Sequence, residues 1–260
     1  MRTIAICTQK GGVGKTTTVA NLAAAWGSRG RRVLAVDFDP QFALTRRFGI
    51  DPSDRLTIAD VLESQLIRDR TAIPIGKAIV RDAAPGVDVI PAHRRLSDIE
   101  ITLVQAVKRE TFLRRALRGE TGNHDIVLID CPPNLGLLTV NALCAADEAL
   151  VPIDMKSVDA LAGAEELIAT VEELEEDGPK VTALLRNRVE GTSRRRREVY
   201  KAIDYELSEL QLPIAATQIP ARDDFEKSAI LHQPLVTWRP DHIGSEAFRS
   251  LADELDRIAA

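Results

Sequence analysis

Lys10-Gly11-Gly12-Val13-Gly14-Lys15-Thr16-Thr17 decides how the rest of the chain is read. It follows a short apolar run, Thr3-Ile4-Ala5-Ile6-Cys7, that reads as a buried strand. It opens a helical pattern through Val19, Ala20, Leu22, Ala23 and Trp26. Strand, glycine loop, Lys-Thr and helix, in that order, make a phosphate-binding P-loop. The glycines let backbone N–H groups turn inward around phosphate oxygens, and the helix N-terminus adds the positive end of its dipole. Gly11 to Thr17 thus form the cradle, Lys15 reaches the β- and γ-phosphates, and the Thr16 hydroxyl ligates Mg²⁺. Gln9 stands where the usual pattern has its first glycine, and a second lysine, Lys10, lies inside the loop.

Composition sets the surroundings of this loop. A chain of 260 residues buries a large core, and its 45% hydrophobic and 28% charged residues are ordinary globular values. No apolar run approaches the roughly 20 residues that span a bilayer. The N-terminus enters a strand at once with no signal peptide, so the expected location is cytoplasmic. Cys7, Cys131 and Cys144 lack CxxC spacing and read as reduced core thiols. His93, His124, His232 and His242 lack metal-ligand spacing.

Apolar strand patterns recur at Arg32–Phe38, Ile126–Asp130, Ala149–Ile153 and Val181–Leu185, with a weaker one at Ile214–Ile219. Helical patterns occupy about 136–145, 157–176, 194–210 and 244–258. Such alternation predicts an α/β fold, a mostly parallel sheet with helices on both faces. Residues 55–120 are less regular and read as short helices and a small edge hairpin whose best strand is Val87–Ile90. No linker or repeat divides residues 1–260, which read as one domain. Ligands in such sheets sit beyond the carboxyl ends of the strands. The first strand delivers the P-loop there, the second delivers Asp37 and Asp39, and the third delivers Asp130. Asp130, after four apolar residues, has the form of the acid that holds Mg²⁺ through water. Asp37 and Asp39 stand close enough to orient an attacking water.

The net charge of −5 hides an asymmetry. Residues 172–177 are acidic apart from Leu174 and read as a solvated helix face. Arg186, Arg188, Arg194, Arg195, Arg196, Arg197 and Lys201 crowd a short stretch that holds only Glu190 and Glu198 as acids. Arginines at a helix N-terminus oppose its dipole, which suggests a polyanionic partner.

Three motifs together carry a resemblance: Lys10-Gly-Gly-Val-Gly-Lys-Thr-Thr, then Val36-Asp37-Phe38-Asp39-Pro40-Gln41, then Leu128-Ile129-Asp130-Cys131-Pro132-Pro133. Their order and spacing resemble the ParA/Soj partition ATPases, a branch of the ParA/MinD deviant Walker P-loop ATPases, over nearly the whole chain. The resemblance implies a P-loop NTPase fold, ATP and Mg²⁺ as ligands, and ATP hydrolysis. It implies a sandwich dimer closed by ATP, in which Lys10 reaches the partner's phosphates and Asp39 positions the hydrolytic water. Lys10, Lys15, Asp39 and Asp130 are then the catalytic set. It further implies non-specific DNA binding by the ATP dimer, here through Arg188, Arg194 to Arg197 and Lys201, and release on hydrolysis stimulated by a ParB-like centromere-binding protein. Asn187 corresponds to an adenine contact and Pro220 to a second base-contacting segment, although Ala221-Arg222-Asp223 departs from the family's commonest wording. The chain resembles the short form, without an N-terminal helix-turn-helix, and is expected to be cytoplasmic and nucleoid-associated when ATP-bound.

Other readings have their own signatures. A MinD-like membrane-cued regulator needs a basic amphipathic tail, whereas Ala252-Asp253-Glu254-Leu255-Asp256-Arg257-Ile258 is acidic, so no membrane partner is expected. An iron–sulfur reductase needs two cluster cysteines per subunit, and Cys131 lacks a convincing second. A ParA-like positioner of another cargo, a chemotaxis cluster or a protein compartment, shares every motif quoted above.

Overall fold

Apolar runs rich in Val, Ile and Leu can bury both faces only inside a sheet covered on both sides. The computed structural model shows that arrangement and describes residues 1–67, 71–118, 123–156, 161–174, 178–191 and 194–259. The side chains of residue 162 and of residues 194–197 lie outside that description. Seven strands form one sheet: β1 (Arg2–Ile6), β2 (Val33–Asp37), β3 (Val80–Ala84), β4 (Val87–Ile90), β5 (Ile126–Asp130), β6 (Glu148–Asp154) and β7 (Lys180–Asn187). Their order is β3-β4-β2-β5-β1-β6-β7, and every pairing is parallel except β3 with β4.

Successive strand residues face opposite sides. Ile4, Ile6, Val33, Ala35, Ile126 and Leu128 bury one face against α1 (Lys15–Gly27) and the last helix, Ile243–Ala259. Ala5, Cys7, Leu34, Val36, Val127 and Ile129 bury the other. That face is covered by α3 (Ile58–Leu66), α4 (Leu96–Leu103), α5 (Phe112–Leu117), α6 (Leu137–Ala145), α7 (Ala162–Glu173) and α8 (Arg194–Glu209). Three shorter helices, α2 (Ala43–Arg47), α9 (Asp224–Ile230) and α10 (Leu235–Trp238), precede the final α11 (Ile243–Ala259). Where α1 ends, a Cβ on Gly27 would stand 2.3 Å from the Pro85 carbonyl oxygen, so only glycine lets α1 meet the β3–β4 turn.

The register positions the site. Asp130 is level with Ile6 on one side and with Asp37 on the other. The carboxyl ends of β1, β5 and β2 therefore finish together.

Two expectations need adjustment. The segment from Ile214 to Ile219 is not a regular strand; it runs beside β7 through one isolated bridge, Leu184 with Ile214, and scattered backbone bonds such as the Ile219 N–H to Arg186 O, with a second bridge, Val189 with Pro220, beyond both. Proline has no N–H for a ladder, and Pro213 and Pro220 bracket the segment. The Ala216 and Thr217 N–H groups instead donate to the Glu254 carboxylate on α11, at 2.6 and 2.9 Å. The helix read over 157–176 is described only as Ala162–Glu173, because 157–160 and 175–177 lie outside the described residues. Among the described residues, no helix is long and apolar enough to cross a membrane.

Glu254→Ala should remove both charge-assisted bonds and destabilise the chain by about 1–2 kcal/mol, the loss being tempered by partial exposure. Urea unfolding would show it as a lower midpoint at unchanged slope.

Candidate functional site

The loop between β1 and α1 takes its shape from its glycines. Gly12 and Gly14 have φ of 75° and 97°, in the left-handed region, and Gly14 is the residue before α1. A Cβ on Gly14 would also lie 2.5 Å from the Asn187 amide nitrogen. Lys15 begins the helix, is buried, and donates its ammonium to the carbonyls of Thr8 (3.1 Å) and Lys10 (3.2 Å). Both acceptors are neutral, and burial lowers the Lys15 pKa. The Thr16 hydroxyl donates to Asp130 Oδ2 at 2.7 Å. Lys10 is partly buried, and its backbone nitrogen lies 3.2 Å from where a Cβ on Gly163 would stand, so α7 packs closely onto the loop.

The strand-end acids occupy different environments. Asp130 is fully buried; its Oδ1 has no hydrogen-bond partner among the described residues. Burial, and then the neighbouring Asp37, push its pKa well above the usual carboxylate range. Asp37 is also fully buried, and burial lifts it to about 7. Its Oδ2 accepts from the Thr45 backbone N–H (2.7 Å) and hydroxyl (2.6 Å), while Oδ1 accepts from the Asp39 N–H at 3.3 Å. The Thr45 oxygen accepts in turn from the Ala92 N–H at 2.9 Å. Asp37 thereby ties β2 to α2 and to the segment after β4. Asp39 is half-buried, and burial raises its pKa against the opposing pull of the Gln41 N–H, Lys15 and Arg46.

A buried carboxylate oxygen without a donor, beside a threonine hydroxyl and a second buried acid, is a donor set suited to a hard divalent cation. Thr16 and Asp130 therefore fit the magnesium expected there. Asp37 spends its oxygens on Thr45 and the Asp39 backbone.

Beside the loop lies a cavity of about 380 Å³ lined by Gly12, Gly14, Thr17, Asn187, Pro220 and Phe225, among others. It brings both expected base-contacting residues, Asn187 and Pro220, next to the loop. Asn187 is anchored: its amide donates to Val13 O at 2.7 Å, and its oxygen accepts from the Arg188 N–H at 2.9 Å. Of the residues expected to bind DNA, Arg188 turns to the loop instead. Its guanidinium donates to Gly12 O and Asp154 Oδ2, both at 3.0 Å, with a left-handed φ of 59° at its backbone. Lys201 is exposed on α8. Arg194, Arg195, Arg196 and Arg197 form the first turn of α8 by backbone, while their side chains lie outside the described residues.

Sequence reading missed Asp154, Thr45 and Arg47. Asp154 ends a buried strand as Asp37 and Asp130 do, so the strand-end rule had the signal to find it. Thr45 and Arg47 lie on a five-residue helix too short to show a periodic face. Arg47 is half-buried and donates to the Phe225 carbonyl at 3.0 Å and to Thr17 Oγ1 at 3.2 Å.

Comparison with known proteins finds a family model, described as an AAA domain, that matches residues 1–183. An uncharacterized protein of Mycobacterium tuberculosis is 36% identical over 257 residues, which cover 98% of this chain and 78% of the relative. The sporulation initiation inhibitor protein Soj of Bacillus subtilis is 45% identical over 168 residues, covering 65% of this chain and 64% of Soj. Among solved structures, cobyrinic acid a,c-diamide synthase from Mycobacterium smegmatis, with bound ATP analog and magnesium, superposes with a TM-score of 0.82 at 32% identity. That alignment covers 99% of this chain and 95% of the synthase.

The raised pKa of Asp37 carries a pH signature for the nucleotide-free chain. A carboxyl with a folded pKa near 7 and an unfolded value near 3.8 takes up a proton on folding in that window. The contribution of Asp37 to stability is therefore fully present below about pH 4 and is lost as pH rises through 7. Asp37→Asn should flatten this slope, so that its melting temperature changes less between pH 5 and pH 8 than that of wild type. An equal slope in both proteins would place the proton uptake elsewhere.

Proposed function

The chain belongs to the AAA-domain family, among the ParA/MinD-like P-loop ATPases, and from that premise we propose that it is an ATP-dependent DNA-segregation ATPase. The observation that carries the nucleotide site is the meeting of Thr16 and Asp130 at 2.7 Å, with Lys15 buried over the same loop. ATP fits with its phosphates in the Gly11–Thr17 cradle and its base in the cavity toward Asn187 and Pro220. Lys15 would carry the β- and γ-phosphates, and Thr16 and Asp130 would hold Mg²⁺. The ion supplies charge neutralisation at the transferring phosphoryl group. Asp39 is half-buried and acts electrostatically on both Lys15 and Asp130, and its carboxylate positions a water for attack.

Dimer closure and DNA binding complete the reading. Lys10 precedes the loop that Lys15 closes and acts in trans on the partner's phosphates, as an arginine finger does. Lys201 is exposed on α8, the helix whose first turn holds Arg194 to Arg197. A dimer doubles that basic surface, so DNA affinity follows ATP state without base readout. Support for the cargo comes from the likeness to the chromosome partitioning protein ParA of Caulobacter vibrioides, 44% identical over 175 residues, and a ParB-like partner is the corresponding stimulator of hydrolysis. The name of the Mycobacterium smegmatis structure points instead to amide synthesis. ATP turnover accelerated by random duplex and a centromere-binding protein separates the two chemistries.

Two variants test the roles. Asp39→Ala should bind ATP and accumulate as an ATP dimer while turnover falls about 100-fold or more, the usual scale for a positioned base. Wild-type turnover in that variant would remove Asp39 from the chemistry. Replacing Arg195 and Arg196 together with Glu should abolish ATP-dependent DNA binding at moderate salt and leave dimerisation by light scattering intact. Undiminished binding to random duplex across a salt titration would make the arginine run a plain solvated face.

A further inference from the structure

Arg47 has no role in the P-loop motif, yet its side chain reaches the foot of the P-loop helix. Its two hydrogen bonds go to neutral oxygens, the Thr17 hydroxyl at 3.2 Å and the Phe225 carbonyl at 3.0 Å. It makes no ion pair with any described residue. A guanidinium has five N–H donors, so these contacts leave part of its capacity unused, and no carboxylate among the described residues is in direct contact with it. Arginine side chains normally keep the charged head in water or pair it when buried. Here the head is held half-buried between two elements, and the acid that acts on it electrostatically is Asp130.

The two oxygens it binds belong to residues that line one cavity. Thr17 belongs to the P-loop side and Phe225 to the α9 side, and both line the 380 Å³ space beside Gly12 and Gly14. A cation bonded to Thr17, a residue of the phosphate cradle, favours an anion in that cradle. The cost of burying an unpaired charge is met only when an opposite charge arrives. The arrangement is therefore one in which stability of the empty chain is sacrificed for attraction of an anionic ligand.

We propose that Arg47 is a positioning residue for the phosphate chain of the nucleotide, acting through Thr17 and through its own unpaired charge. The proposal rests on the nucleotide site put forward under Proposed function and adds to it a cation drawn from α2 rather than from the loop. It also gives α2, which carries Thr45 and follows Asp39, a direct link to the phosphate cradle.

Competition against a fluorescent ADP analogue, in the presence of Mg²⁺, tests this with wild type, Arg47→Lys and Arg47→Met. Arg47→Met should bind both ATP and inorganic pyrophosphate about tenfold more weakly or worse, the scale of one lost charge-assisted interaction. Arg47→Lys, which keeps the charge, should recover most of that loss. The nucleotide-free Arg47→Met chain should melt no lower than wild type, because an unpaired buried charge has gone. Unchanged pyrophosphate affinity with weakened ATP would mean that Arg47 merely braces the Phe225 wall, and the proposal would fall. It would fall equally if Arg47→Lys were as defective as Arg47→Met, or if the empty Arg47→Met chain melted well below wild type. Should Arg47→Met not fold, Arg47→Gln against Arg47→Lys makes the same comparison of charge. A wild-type chain that binds neither ATP nor pyrophosphate would overturn the nucleotide site itself, a result distinct from equal binding by wild type and variant.

Discussion

Asp130 and Asp37 end neighbouring parallel strands in register, and both are fully buried. Two carboxylates side by side in a low-dielectric interior disfavour each other's ionisation. The molecule handles the two differently. Asp37 is given three hydrogen-bond donors and becomes a tie between β2, α2 and the segment after β4. Asp130 is given one, from Thr16, and one of its oxygens has no partner among the described residues. The difference turns one acid into scaffold and leaves the other with ligand capacity. Everything proposed about nucleotide and magnesium depends on that division, because a fully satisfied Asp130 would have no reason to take a cation.

The surroundings distribute charge in the same spirit. Lys15 and Arg47 are both held by neutral oxygens, with no carboxylate paired to either among the described residues. Arg188, by contrast, is paired with Asp154 and bonded to Gly12 O, so it braces the loop from the β7 side. From there a continuous run of contacts leads outward. Lys156 bonds through its N–H to Asp154 and through its ammonium to Glu190, whose backbone N–H donates to the Tyr200 hydroxyl at 2.7 Å. Tyr200 lies on α8, so the phosphate loop and the basic helix share one bonded framework.

Most of this architecture was legible in the sequence, for a simple reason. β1, β2, β5, β6 and β7 are near-continuous apolar runs, and a strand buried on both faces can hardly look otherwise. The P-loop and the strand-end acids could be read because each sits at a fixed offset from such a run. Ile214–Ile219 has the apolar pattern of a strand, yet bracketing prolines and the Glu254 carboxylate divert its backbone from a regular ladder. Arg188 lies near the arginines of α8 in sequence, whereas a left-handed turn sends it to the loop. Thr45 and Arg47 could not be read at all, since their importance comes from partners that only the tertiary fold supplies.

Sedimentation velocity of the wild-type chain with random-sequence duplex DNA, run with Mg·ATP, with Mg·ADP and without nucleotide, addresses the central claim most directly. The account predicts a dimer that co-sediments with DNA only in Mg·ATP and is lost from it as salt rises, with a log–log slope of about −0.9 for each phosphate neutralised. A monomer in every nucleotide state, or DNA binding indifferent to nucleotide, would contradict it.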